Sequence, residues 1–245
     1  MPVEAELAPA RSLTLGAPAV ALCADEGRLL VLEASGNRVL RLDSTLAPAD
    51  TVPLTERLVG PAGIAADRFY VYVHDDRTLY RLPKRDPVLA GWLQGVRVAG
   101  LAVFAPGEML VSDAERATVW LKTLFGESRR FLDALELPRP GALAVLPDGM
   151  FAALSGGSLL VRFNRAGIVS SRQPLADTVN LMAADGSGRL VLARAGRPEL
   201  TVIEPDGRSR RFRLAGEPAP SGLAVLPGRA VVLDRDARVI SYPLP

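Results

Sequence analysis

Hydrophobic and polar positions along this chain of 245 residues follow one pattern written six times. The stretch "PRPGALAVLPDGMFAAL" from Pro138 shows it: a Pro/Gly turn, an apolar run, a Pro-Asp-Gly turn and a second apolar run. The same order appears in "GAPAVALCADEGRLLVLE" from Gly16, "VGPAGIAADRFYVYVHD" from Val59 and "RVAGLAVFAPGEMLVSD" from Arg97. It returns in "DTVNLMAADGSGRLVLA" from Asp177 and "APSGLAVLPGRAVVLDRD" from Ala219. The leading large apolar residues, Val20, Ile64, Leu101, Leu143, Leu181 and Leu223, are spaced by 44, 37, 42, 38 and 42 residues. That period is near the length of a propeller blade.

Each unit continues with a polar turn and a strand of period two, as in "NRVLRLD" from Asn37, "RTLYRLP" from Arg77 and "SLLVRFN" from Ser158. Arg or Lys on alternate positions marks a half-buried strand. A weaker fourth strand follows, for example "DTVPLT", "VSSRQPL" and "RSRRFRLA". The first run of a unit is small and apolar, as suits a crowded axis, and the outer strands gain charge. A β-sandwich also has many short strands, but it does not require the same four-strand unit six times. The expected fold is therefore all-β: a six-bladed β-propeller of four-stranded blades, with blades starting near residues 16, 59, 97, 138, 177 and 219 of a single domain over 1–245. The last unit supplies only three strands. Its fourth is expected from residues 10–16, "ARSLTLG", where Leu13 and Leu15 alternate with polar residues.

Composition narrows the function classes. Apolar residues make up 49% of the chain and charged residues 23%, enough for a sizeable core. Aromatics at 5% argue against a base-stacking surface for single-stranded nucleic acid. Of the 29 basic residues only Lys84 and Lys122 are lysine, which reads as GC-rich coding before it reads as anion recognition. The one cysteine, Cys23, excludes an internal disulfide and any multi-cysteine metal site. The first residues lack the apolar core of a secretory signal, and no apolar run has the length of a membrane span, so a cytoplasmic protein without membrane contact is expected.

Two elements, Gly222-Leu223-Ala224-Val225 followed by Pro227-Gly228, and Val111-Ser112-Asp113, resemble NHL-repeat proteins and the neighbouring gluconolactonase-like propellers. Leu143-Ala144-Val145 followed by Pro147-Asp148-Gly149 is similar. The resemblance spans essentially the whole chain and implies architecture more than activity. In the lactonase branch it implies a metal-binding Glu in an early "LGEGP" segment and Asn or Asp just ahead of the innermost strands, oxygen ligands for a hard cation. Here Ala17 stands in the Glu position, and the series ahead of the inner strands is Pro18, Ala62, Ala99, Gly141, Val179 and Ser221. Ser221 and the neighbouring Asn180 do not make a divalent site. No metal and no cofactor are expected, and with a single histidine a multi-His metal site is excluded as well.

The turn after each second strand aligns Glu33, His74, Asp113, Ser155, Ala193 and Asp234. These side chains are expected to stabilise their own turns, with a partner-facing acidic rim as the alternative. His74, beside Asp75 and Asp76, reads first as part of a surface turn, and next as a catalytic, pH-sensing or metal-binding group. Arg208, Arg210, Arg211 and Arg213 fall on an outermost strand, with Arg129 and Arg130 at the corresponding place in the third blade. They are expected to guard the sheet edge against pairing, or else to form a basic patch. Trp92, in a longer inter-strand stretch, is a candidate interface anchor or a buried packing residue.

No catalytic constellation is expected. The favoured function is a non-catalytic scaffold that binds protein partners within a larger assembly. The candidate contacts are Glu33, His74, Asp113, Asp234, Trp92 and the arginines at 129, 130, 208, 210, 211 and 213. Two alternatives stay open. One is a divergent metal-dependent lactonase-like hydrolase. The other, less favoured, is RNA binding through the arginines, as in some NHL propellers.

Overall fold

The computed structural model describes residues 3–245; residues 1 and 2, at the start of the expected domain, lie outside the described residues. Among the described residues there is no helix, and strands gather into six sheets. From the channel outwards, blade 1 consists of Ala19–Asp25, Arg28–Glu33, Arg38–Leu42 and Pro48–Pro53. Blade 2 consists of Gly63–Ala66, Tyr70–His74, Thr78–Pro83 and Ala90–Gln94. Blade 3 has Val98–Ala105, Glu108–Asp113, Thr118–Lys122 and Ser128–Leu132. Blade 4 has Pro140–Val145, Phe151–Ser155, Leu159–Phe163 and Val169–Pro174. Blade 5 has Leu181–Ala184, Leu190–Ala193, Glu199–Ile203 and Ser209–Leu214. Blade 6 has Pro220–Leu226, Arg229–Asp234 and Arg238–Pro243, and its outer strand is Arg11–Thr14. Inner strands of consecutive blades touch, including blade 6 against blade 1, so the six sheets close a ring.

The closing strand runs antiparallel to the C-terminal strand, with Leu13 opposite Val239 and Arg11 opposite Ser241. The chain makes one addition that its pattern does not announce. Ala5–Leu7 lies parallel to the outer strand of blade 5, with Ala5 opposite Phe212, and covers that edge. Three residues are too few for a legible alternation.

Blades hold together because each second strand buries both faces. In blade 1, Leu29 and Val31 pack toward blade 6, while Leu30 and Leu32 pack toward blade 2. A strand buried on both sides needs a continuous apolar run, and this is why "RLLVLE" lacks the alternation of the third strands. The core is accordingly a set of six interfaces, one at each seam between neighbouring blades. The seam between blades 3 and 4 is the aromatic one, with Phe151 stacked on Phe163 at 5.5 Å and edge-on to Phe104 at 5.4 Å. Turns on the face opposite the candidate site are set by Asp and Asn side chains. Asp148 Oδ1 accepts from Met150 N at 2.9 Å, and Gly149, at φ +79°, takes the left-handed conformation that the turn demands.

Register differs between blades in a way that matters for the channel. Inner strands of blades 1, 3, 4 and 6 each carry a register shift near their start, between Ala19 and Ala21, Val98 and Gly100, Pro140 and Leu143, and Pro220 and Gly222. Blades 2 and 5, which face each other across the ring, pair without one. Gly63 therefore lies directly opposite His74, and Leu181 opposite Ala193.

Candidate functional site

The channel has an apolar floor and a polar mouth. Six side chains form its waist: Leu22, Ile64, Leu101, Leu143, Met182 and Leu223. On one side of the waist is a cavity of about 280 Å³ lined by alanines, valines and Cys23. Burial pushes the Cys23 thiol far above its ordinary pKa, with Asp25 adding to the effect, so it is not a thiolate nucleophile. On the other side is a cavity of about 190 Å³, to which His74, Asn180 and Ser221 bring the polar side chains.

Of the six aligned turn residues, among the described residues only His74 lines this mouth. The reason is its cross-strand partner. Gly63 has no side chain, so the imidazole lies across the inner strand: a methyl group there would fall 2.1 Å from Nε2. In blades 1, 3 and 6 the corresponding partners are Ala19, Val98 and Pro220, each of which carries a side chain where Gly63 has none. The surface position expected for His74 is corrected here, since the residue is only 6% exposed.

The tautomer follows from its neighbour. His74 Nδ1 lies 3.2 Å from the carbonyl oxygen of Asp75, which can only accept, so Nδ1 carries the proton and Nε2 keeps a lone pair. Burial holds the imidazole pKa below its ordinary value, against the opposing pull of the Asp75 carbonyl and charge. His74 is thus a neutral base at neutral pH. On the opposite blade, Asn180 Oδ1 accepts from Ala195 N at 2.7 Å, which leaves its NH₂ group as a donor. Ser221 Oγ donates to Leu233 O at 3.2 Å and retains its lone pairs.

The remaining aligned positions are buried and serve their turns. Asp113, 0% exposed, accepts from Glu115 N and Arg116 N and pairs with Arg116 at 2.9 Å. Asp234 accepts from Asp236 N and Arg238 N and pairs with Arg238. Glu33 pairs with Arg38 at 2.7 Å, and Ser155 donates to Pro138 O. Trp92 is half-buried, stacked on Tyr72 at 5.2 Å with Lys122 Nζ 5.3 Å from its ring.

The arginines at the fourth strand of blade 5 do not guard an open edge, since Ala5–Leu7 pairs with that strand, and each is matched by an acid. Arg208 pairs with Asp206 at 2.6 Å, Arg210 with Glu204 at 2.5 Å, Arg211 with Asp177 and Glu199, and Arg213 with Glu217. Arg129 and Arg130 are exposed, the former 5.9 Å from the Phe131 ring. Among the described residues no three His, Cys, Asp or Glu side chains converge on a point that could hold a metal. One imidazole, one amide and one hydroxyl at the mouth do not fit a divalent cation, which wants carboxylates or several imidazoles.

The fold and this mouth define a six-bladed β-propeller with a buried base at one end of its channel. No protein-family model matches the sequence, and no curated protein does. Solved structures share the fold. A virginiamycin B lyase from Staphylococcus aureus superposes with a TM-score of 0.72 at 8% identity, covering 96% of this chain and 99% of the other. A catalytically inactive histidine-to-alanine variant of that lyase, solved with quinupristin, gives the same figures. A gluconolactonase from Xanthomonas campestris has a TM-score of 0.72 at 19% identity, covering 96% of this chain and 90% of the other. The likeness is one of fold. It nevertheless overturns the expectation of a non-catalytic, protein-binding scaffold, because solved proteins that share this ring over nearly its whole length include enzymes, the lyase and the gluconolactonase.

Proposed function

We propose that this propeller is a lactonase-like enzyme that opens a small lactone or ester at the channel mouth, with His74 as its general base and without a metal ion. The observation that carries the reading is the buried His74, whose Nε2 lone pair lies over Gly63 at a cavity on the axis. An inactive lyase lacking one histidine and a gluconolactonase of the same fold lend it support.

His74 Nε2 takes a proton from a water molecule as that water attacks the acyl carbon, while Nδ1–H stays on the Asp75 carbonyl and fixes the ring. The Asn180 NH₂ group, across the mouth, donates to the carbonyl oxygen as negative charge develops there. The proton then passes from the imidazolium to the departing alkoxide, which regenerates the neutral base. At about 190 Å³ the mouth lies under the ~300 Å³ lower end of drug-sized sites, so it takes the reacting end of a substrate.

The test is hydrolysis of a panel of γ- and δ-lactones and aryl esters by the purified protein, with and without a chelator. Turnover should survive the chelator and fall by ~10²-fold or more in His74→Ala. No turnover across the panel, or turnover that His74→Ala leaves intact, sinks the proposal.

A further inference from the structure

The proposed chemistry leaves a second concave site unused. It lies in the seam between blades 4 and 5, on the face that carries His74. A cavity of about 260 Å³ is lined there by Asp177, Arg194, Arg197, Glu199, Thr201 and Arg211. A smaller space of about 40 Å³ shares Asp177, Val179, Leu192, Thr201 and Arg211 with it, and Pro174, Leu175 and Ile203 add apolar wall.

The polar part is built unevenly. Arg211 is fixed in the wall, 2.9 Å from Asp177 and bonded also to Glu199. Arg194 and Arg197 are exposed, and among the described residues no acid or carbonyl engages either guanidinium. Arg235 packs beside Gly196, between them in sequence, and adds to the positive field. Isolated surface arginines simply face water. These two flank a concavity whose third arginine is already held in place. Three arginines against two carboxylates leave the lining one positive charge in excess, which matches a monoanion better than a dianion.

The apolar part sets the other half of the ligand. A recess of about 40 Å³ leaves room for a short aliphatic stem and no more. A guanidinium pair suits the planar, two-oxygen geometry of a carboxylate. We propose that this seam binds a small aliphatic carboxylate, its headgroup on Arg194 and Arg197 and its short chain against Leu175, Val179 and Ile203. The site is independent of His74.

Calorimetric titration of the whole chain at low ionic strength tests this with sodium butyrate, n-butylamine, n-butanol and inorganic phosphate. Butyrate should bind with a millimolar dissociation constant, and the amine and the alcohol ~10-fold or more weaker. The Arg194→Gln/Arg197→Gln double variant keeps both positions polar and exposed and should fold as the parent does. It should lose ~10-fold or more in butyrate affinity, while His74→Ala should bind like the parent. The proposal is overturned by absent butyrate binding, by equal binding of butylamine, or by phosphate binding more tightly. It is overturned equally by unchanged affinity in the folded double variant, or by loss of binding in His74→Ala, which would move the anion to the channel mouth.

Discussion

Gly63 and His74 sit opposite one another on the two innermost strands of blade 2, and the missing side chain of the first is what admits the ring of the second to the channel. A methyl group at residue 63 would lie 2.1 Å from Nε2. Gly63→Ala must therefore swing the imidazole out of the mouth. Because His74 is the chain's only histidine, its resonances report without assignment. In Gly63→Ala they should titrate near the ordinary ~6.5. Overpacking should cost about 1–3 kcal/mol of stability. Parent-like imidazole chemical shifts in the variant would show that the ring tolerates a neighbour there.

The depressed pKa of His74 also links acidity to stability. The unfolded chain takes up a proton near pH ~6.5, whereas the folded protein does so only at lower pH. Between those two points the unfolded state holds more protons, so stability is complete above about pH 6.5 and falls on acidification. The carboxylates held low by their turns, Asp43, Asp185 and Asp206 among them, act only at more acid pH. Chemical denaturation at pH 7 and pH 5 should therefore show a loss in the parent that His74→Gln largely removes. An equal loss in both would assign the effect elsewhere.

Asp234 is 1% exposed and accepts two backbone N–H groups while pairing with Arg238. Asp234→Ala leaves those donors without an acceptor and should cost about 2–3 kcal/mol. Asp234→Asn keeps a carbonyl oxygen for the N–H groups and should cost less. If denaturant midpoints fall equally for both variants, the charge matters and the turn geometry does not.

Closure by residues 11–14 is the fourth testable point. Leu13 and Leu15 pack on the seam between blades 6 and 1, beside Val239 and Leu226. Deleting residues 1–15 should lower the melting temperature of the whole ring, and Leu13→Asp should cost about 1–3 kcal/mol. A deletion that melts like the parent would mean that three strands suffice for blade 6.

The six blades were legible because a strand buried on both faces and a half-buried strand leave different patterns, "RLLVLE" beside "NRVLRLD". The clasp was legible too, since Leu13 and Leu15 alternate. The site was not. Glu33, His74, Asp113 and Asp234 look alike as strand-end residues, and what separates them is the residue across the strand pair. Whether that residue is Gly63, Val98 or Pro220 depends on register shifts near the strand start, which leave no mark on hydrophobic period. The seam cavity was hidden for a similar reason. Arg211 was visible as one of four edge arginines, but Asp177, Arg194 and Arg197 join it only through a turn and an inter-blade loop.

The clasp has a bearing on how the protein is made. Arg11–Thr14 leaves the ribosome long before its partner Arg238–Pro243. Throughout synthesis of what lies between, the early strand has no mate, and neither does the rim of blade 1 that blade 6 will cover. Unpaired strands and uncovered apolar rims are the surfaces through which nascent chains stick to one another. The sixth seam thus completes last, and how quickly it forms decides how long each new chain remains adhesive.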